Sequence, residues 1–409
     1  MKKKLILILI IGVFCYYKFI YLKDIKRILK IIEEDKFYVD KYTIFGNHLN
    51  VSGCIDKKLT GKLSLVLKNV DEEIKIESIF KSKDKTCFKL SDKNNEGINL
   101  DELKKGKYLL LVKEDNKYYS LENKTEYNNL EYYTITRNNK NNKINIDFNN
   151  NYLSLKIKES ILPEDVYDIT IDPGHGGNDI GASYKLNGKT YNESDLTLKI
   201  SLLLKEKLED IGLKVKLTRD NDIFLDNYGD DGRAIIPNEV KSKYSLSIHL
   251  NSLDGIMNYG GVEVYTPNDI NYEFAKSLAK NISNIVNYSK KKTNKISNGV
   301  YYTYFTKEDI IESKEDMLEK NMKPYDIKVN APYMYMIREV GGINTYAYID
   351  GRNVEHGLNK YYNCNKVAEP YLIELGYMNY KKDLENIVNK PEAFAKAISN
   401  SLKEELNIS

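Results

Sequence analysis

Beyond residue 40 the hydrophobic pattern of the chain changes period near Ile161-Leu162-Pro163-Glu164, and this restricts it to two kinds of architecture in series. From Tyr42 to about Lys158, short runs alternate apolar with polar residues, as in Leu63-Ser64-Leu65-Val66-Leu67 and Ile144-Asn145-Ile146-Asp147-Phe148, with Gly, Asn and Asp between them. Period-two alternation turns one face to a core and the other to water, so residues 41–160 read as a β-rich, sandwich-like domain. From Tyr167 onward, strand-like runs alternate with helical spacing. This predicts an α/β domain over residues 165–409, a mixed sheet flanked by helices. The 409 residues are enough for two separate cores.

Met1-Lys2-Lys3-Lys4 precedes an apolar run from Leu5 to Tyr17 that continues past Lys18 to Leu22, the charged and hydrophobic parts of an export signal. No small-x-small cleavage site follows, and Phe14 stands before Cys15. The expectation is a signal anchor, a transmembrane segment over residues 1–22, with Tyr16, Tyr17, Lys18 and Tyr21 extending a short span at the interface. Helical spacing from Lys23 to Glu34 predicts a stalk helix over 23–40. The chain would then sit at the cell membrane with its α/β domain outside the cytoplasm; a secreted form is the alternative. Export would let Cys54 and Cys87 pair, with two free thiols as the equal alternative. The 62 basic and 59 acidic residues leave a net charge of only +3, which argues against a nucleic-acid partner. Trp is absent, so any sugar-stacking face must be Tyr or Phe.

Three separated segments carry the chemistry. They are Ile171-Asp172-Pro173-Gly174-His175-Gly176-Gly177, Asn192-Glu193-Ser194-Asp195 and Ser247-Ile248-His249-Leu250-Asn251-Ser252. His175 and His249 close predicted strands, and Glu193 opens a helix beside the cap residue Asn192. Two imidazoles and a carboxylate make a three-ligand zinc site that leaves a fourth position for water. In a fourth segment, Glu369-Pro370-Tyr371-Leu372-Ile373-Glu374-Leu375-Gly376-Tyr377-Met378-Asn379, Glu374 ends an apolar run and is the candidate proton acceptor. Of the other two histidines, His48 and His356, His48 reads as structural. Asn251 and Arg338 are candidates for substrate contacts, against the plainer readings of a turn Asn and a surface Arg.

With Thr218-Arg219-Asp220 and Gly261-Val262-Glu263-Val264-Tyr265, these segments resemble the zinc-dependent N-acetylmuramoyl-L-alanine amidases of the type 3 class, from about Tyr167 to the C-terminus. The resemblance implies one zinc ion on His175, Glu193 and His249, with Glu374 as the catalytic carboxylate. It also implies peptidoglycan as substrate, cut between N-acetylmuramic acid and L-alanine. A zinc peptidase acting within the stem peptide and an inactive wall-binding or regulatory protein are the alternatives. The chain departs from a minimal member of the class by a long insertion around 297–364. It has no recognised wall-binding repeat, so the β-rich domain is left as a wall-recruiting, partner-recruiting or spacer element, its partner unknown.

Overall fold

A computed structural model of the protein describes residues 27–408, apart from 93–94, 138–139, 150–151, 228–230, 254, 256–257, 269, 271, 320, 322–326 and 348–358. The β-rich half begins earlier than its sequence suggested. Strand β1 (Ile32–Phe45) occupies the second half of the stretch expected as a stalk helix. Phe37 and Val39 are buried while Tyr38 and Asp40 are exposed, a period-two pattern. The helical spacing upstream is overridden because β1 finds partners on both sides. It runs antiparallel to β2 (His48–Ile55) and parallel to Lys117–Asn123.

Thirteen strands join in one continuous sheet rather than two separate ones, and the sheet wraps its own core of residues such as Phe37, Tyr42, Leu49, Leu110, Leu121, Ile146 and Leu155. Strand β3 (Thr86–Lys89) pairs with β2 and sets Cys87 directly opposite Cys54, where the two form a disulfide. Cys364 is a free thiol.

The C-terminal half carries a seven-stranded sheet. In chain order its main strands are β4 (Ile169–Pro173), β5 (Val215–Leu217), β6 (Tyr244–Asn251), β7 (Glu263–Tyr265), β8 (Val300–Tyr301) and β9 (Glu369–Tyr377). Their spatial order is β5-β4-β6-β9-β7-β8, with Lys295–Ser297 at the far edge. The first four are parallel, and β7 runs antiparallel to β9. Near-continuous burial along β4, β6 and β9 is what a parallel sheet covered by helices requires. The covering helices include α1 (Glu193–Asp210), α2 (Glu273–Val286) and α3 (Pro391–Glu405), which bury Ile200, Leu204, Leu278, Ile282, Phe394 and Ile398 against the strands.

The transmembrane anchor expected over residues 1–22 falls outside the described residues. Among the described ones, no helix is long and apolar enough to cross a membrane. The longest, α1, carries Lys199, Lys205, Glu206, Lys207, Glu209 and Asp210, charges that suit a helix half in water and not one in hydrocarbon. The fold is corrected to an α/β unit joined to a β-rich unit.

The two units share a seam. The short strand Lys366–Val367 adds to β1 through Ile44 and Phe45, and Tyr244 donates a hydrogen bond to Asn47 at 3.2 Å. Asp168 accepts from the Thr136 backbone N–H at 3.2 Å and pairs with Lys243 at 3.1 Å, with both side chains of that pair buried.

Candidate functional site

The site lies where β4 and β6 end and α1 begins. His175 follows β4 with φ of 60°, a left-handed conformation that costs a non-glycine residue energy and persists only where the surroundings impose it. Buried cations impose it here. Arg219 donates to the carbonyls of Pro173 and Gly174 and to Ser194 at the start of α1. Arg233 donates to Asp172 and to the carbonyls of Pro173 and His175. Asp172 also accepts from Thr218 and Ser247, each at 2.7 Å. Gly174 is required by close approach, because a Cβ there would lie 2.4 Å from the His249 ring.

Three side chains converge. His175 Nε2 lies 3.2 Å from Glu193 Oε1, and His249 Nδ1 lies 3.1 Å from the same oxygen. The backbone N–H groups of Leu250 and Ala182 donate to the two oxygens of Glu193 at 2.9 and 3.0 Å. Asp179 holds His175 Nδ1 at 2.8 Å and so leaves Nε2 to face Glu193. Burial alone would raise Glu193, but hydrogen bonds and charge from His175 and His249 hold it well below the ordinary carboxylate range. For His175, burial opposes protonation, yet Glu193 and Asp179 outweigh it and raise the ring above its usual value.

Among the described residues these three form the group that could hold a metal ion, their ligand atoms lying within 4.8 Å of one another. The donor set fits. Donors bound at ~2.0–2.1 Å around a tetrahedral ion are separated by about 3.3 Å, close to the spacings seen here. Two imidazoles and one carboxylate are also ligands that zinc accepts.

Glu374, on β9, stands directly opposite His249 on one side and Glu263 on the other. The two glutamates differ sharply in their surroundings. Glu263 is fully buried but accepts from Tyr265 at 2.5 Å, from Ser289 at 2.6 Å and from Tyr377, with Lys291 at 3.7 Å. Glu374 Oε2 is buried with no hydrogen-bond partner among the described residues. Burial, then repulsion from Glu193 and Glu263, raise the Glu374 carboxyl well above its ordinary value. An unsatisfied buried carboxyl beside three potential ligands marks a functional group, since structural polar groups are normally paired.

Residues 169–313 match the family model of N-acetylmuramoyl-L-alanine amidase. The chain carries an N-acetylmuramoyl-L-alanine amidase domain. Its relatives include the probable cell wall amidase LytH of Staphylococcus epidermidis, 33% identical over 142 residues, which are 35% of this chain and 44% of that protein. The LytH protein of Staphylococcus aureus is 36% identical over 110 residues, 27% of this chain and 34% of that protein. The chain thus matches less than half the length of these curated relatives. An N-acetylmuramoyl-L-alanine amidase structure from Clostridium difficile 630 aligns at 22% identity over 60% of this chain and 98% of its own, with a TM-score of 0.36.

The α/β unit brings His175, Glu193, His249 and Glu374 together, the first three within the residues that match the family and Glu374 beyond them. Asn251 closes β6 two residues beyond His249, and its carbonyl accepts from Met378. Arg338 does not join them. It is buried and donates to Glu339 and to the carbonyls of Pro332 and Tyr333, so its guanidinium packs its own loop. Sequence reading missed the supports, Asp172, Asp179, Arg219 and Arg233. Of these, Arg219 had a signal in Thr218-Arg219-Asp220, and Asp172 stood inside a quoted segment.

Proposed function

We propose that the amidase domain hydrolyses the amide between the lactyl group of N-acetylmuramic acid and the amino group of L-alanine in peptidoglycan, using one zinc ion on His175, Glu193 and His249. The observation that carries this reading is the three-ligand group, which lies within the residues that match this family, with the unpartnered Glu374 across the strand pair from His249. When bound, zinc would lower the pKa of a coordinated water to about 7, polarise a carbonyl, and add positive charge beside Glu193, one of the groups that, after burial, raise the Glu374 carboxyl.

The protein's own groups do the rest. Glu374 takes a proton from the attacking water as its oxygen bonds to the lactyl carbonyl carbon. It returns that proton to the alanine nitrogen as the C–N bond breaks, so the amine leaves neutral and the lactyl group keeps a carboxylic acid, which gives its remaining proton to solvent. Asp179 fixes the tautomer and direction of His175, and the Leu250 and Ala182 N–H groups fix Glu193. Asn251, which ends β6, is the residue we assign to substrate contact. The reaction belongs on the wall side of the cell, where the Cys54–Cys87 disulfide persists.

Mass spectrometry of sacculi digested by the protein with zinc tests this. Peptide-free glycans together with peptides that begin at L-alanine are expected. Stem peptides shortened from within, or no release at all, overturn it.

A further inference from the structure

The loop after β5 is fixed to the turn that carries His175. Gly177 donates its backbone N–H to Asp222 at 2.8 Å. A Cβ on Gly177 would lie 2.5 Å from the Phe224 nitrogen, and one on Gly176 would lie 2.3 Å from the Ile223 carbonyl oxygen, so the two backbones approach too closely for a side chain at either glycine. The two cations that hold the His175 turn also hold this loop. Arg219 donates to the Asn221 carbonyl at 3.1 Å and Arg233 to the Leu225 carbonyl at 3.3 Å. The backbone N–H of Arg233 donates to the Asp226 carbonyl at 2.9 Å.

Phe224 stands out from this loop, 56% exposed. It is the only exposed phenylalanine among the described residues, and it joins none of their apolar clusters. A single apolar residue at a surface is ordinary. Its place and its fixing set this one apart. Gly177, which its backbone touches, is two residues from His175, and two residues of chain span at most about 7 Å. A ring that contributes nothing to a core is thus held beside the metal group by a backbone tied on both sides.

The sheet decides which side of the site this is. In the order β5-β4-β6-β9, His175 follows β4, His249 lies on β6 and Glu374 on β9, so the three stand in a row. Phe224, on the loop after β5, lies beyond His175 at one end of the row, and Glu374 closes the other. Strands β4 and β9 are two spacings apart, about 10 Å. Glu374 returns its proton to the alanine nitrogen, so the nitrogen side of the amide faces β9. The lactyl group leaves the same carbonyl carbon on the opposite side and carries the sugar toward β4 and β5. The apolar face of a sugar ring suits the flat face of Phe224, in a chain that has no Trp to offer. The far flank is aliphatic. Leu253, 46% exposed, lies on the loop after β6, and its carbonyl accepts from Asn379, just past β9.

We propose that the N-acetylmuramoyl ring stacks on Phe224, and that this contact makes the site select amides that carry the sugar. The direction of the substrate rests on the amidase reading.

The test compares two substrates of the full chain with zinc, N-acetylmuramoyl-L-alanyl-D-isoglutamine and N-lactyl-L-alanyl-D-isoglutamine, which lacks only the sugar. The ratio of kcat/KM on the first to that on the second should fall about tenfold or more in Phe224→Ala, chiefly through KM. Phe224→Leu, apolar but without a ring, should lower it too, whereas Phe224→Tyr and Leu253→Ala should keep the parent ratio. A parental ratio in both Phe224→Ala and Phe224→Leu overturns the proposal. So does an equal fall in Leu253→Ala, which would put the sugar on the other flank. Titration with N-acetylmuramic acid, followed by NMR, reads the contact without turnover. The parent should bind this sugar and Phe224→Ala should bind it about tenfold more weakly; no binding by the parent overturns the proposal. Sugar binding that depends on Phe224 without cleavage of either substrate counts against the amidase reading alone, and cleavage with a parental ratio in the Phe224 variants counts against this proposal alone.

Discussion

The two ends of the amidase sheet are built from opposite materials. At one end His175, Glu193, His249 and Glu374 gather, where burial and neighbouring charges together raise His175 and Glu374 and hold Glu193 low. At the other end, amides and tyrosines, with Lys41, Lys89 and Glu369, line a cavity whose one histidine is pushed down by burial to about 4. Strand β9 runs through both, with Glu374 unpartnered at the first and Glu369 held by the Tyr371 hydroxyl at the second. The lesson is that a buried carboxyl is read by its partners and not by its burial. Glu263 and Glu369 are satisfied, and Glu374 is not.

The largest effect that could break the contrast is at the metal end. His175→Ala or His249→Ala should lose bound zinc, by elemental analysis, and all measurable turnover, because two remaining ligands hold the ion poorly. Full zinc occupancy in either variant removes that residue from the site. Glu374→Gln keeps shape but cannot accept a proton. Turnover should fall by about 10²-fold or more with zinc retained, and a near-parental rate would make Glu374 a mere strand residue.

Changes near the cavity should instead register as stability. Cys54 and Cys87 are 33 residues apart, and their disulfide rivets β2 to β3 two pairs beyond the cross-strand partners Ser52 and Lys89, which line the cavity. Replacing both with Ala should cost about 3–4 kcal/mol in denaturant unfolding, with turnover on soluble substrate unchanged at saturating zinc. A drop in turnover that matches the zinc-ligand variants would end the separation of the two poles.

The smallest effect concerns pH. Burial pushes the folded His48 ring down to about 4, against 6.5 for a free imidazole. The unfolded chain therefore binds more protons between those values, and stability is lost as the pH falls through that window. Between pH 7.5 and 5 the loss from this residue should be about 2 kcal/mol. His48→Gln should flatten that part of the pH dependence, and an unchanged slope would show that the ring is not held neutral by the seam.

Much of the α/β half was legible because its signals are local. Glycines that permit a sharp turn, a cap before Glu193, and apolar runs ending in His175, His249 and Glu374 all lie within a few residues of the groups they serve. Helices α1, α2 and α3 followed from their spacing. The start of the β-rich half did not, because whether residues 32–40 become helix or strand depends on neighbours that supply the ladder. The surface Arg that was the plainer alternative for the substrate-contact candidate Arg338 is not found for a similar reason, since its acceptors include the carbonyls of Pro332 and Tyr333, and no pattern announces that a guanidinium will be buried on them.

By itself the sequence determined which side chains could do the chemistry, since residue type and turn chemistry travel with the chain. Tertiary structure decided the rest, because it is set by contacts between segments far apart in sequence. It chose the pairing of Cys54 with Cys87, the cage of Arg219 and Arg233 around the His175 turn, and the place of Glu374 between His249 and Glu263. It also brought Asn50 and Asn344, nearly three hundred residues apart, to the walls of one cavity.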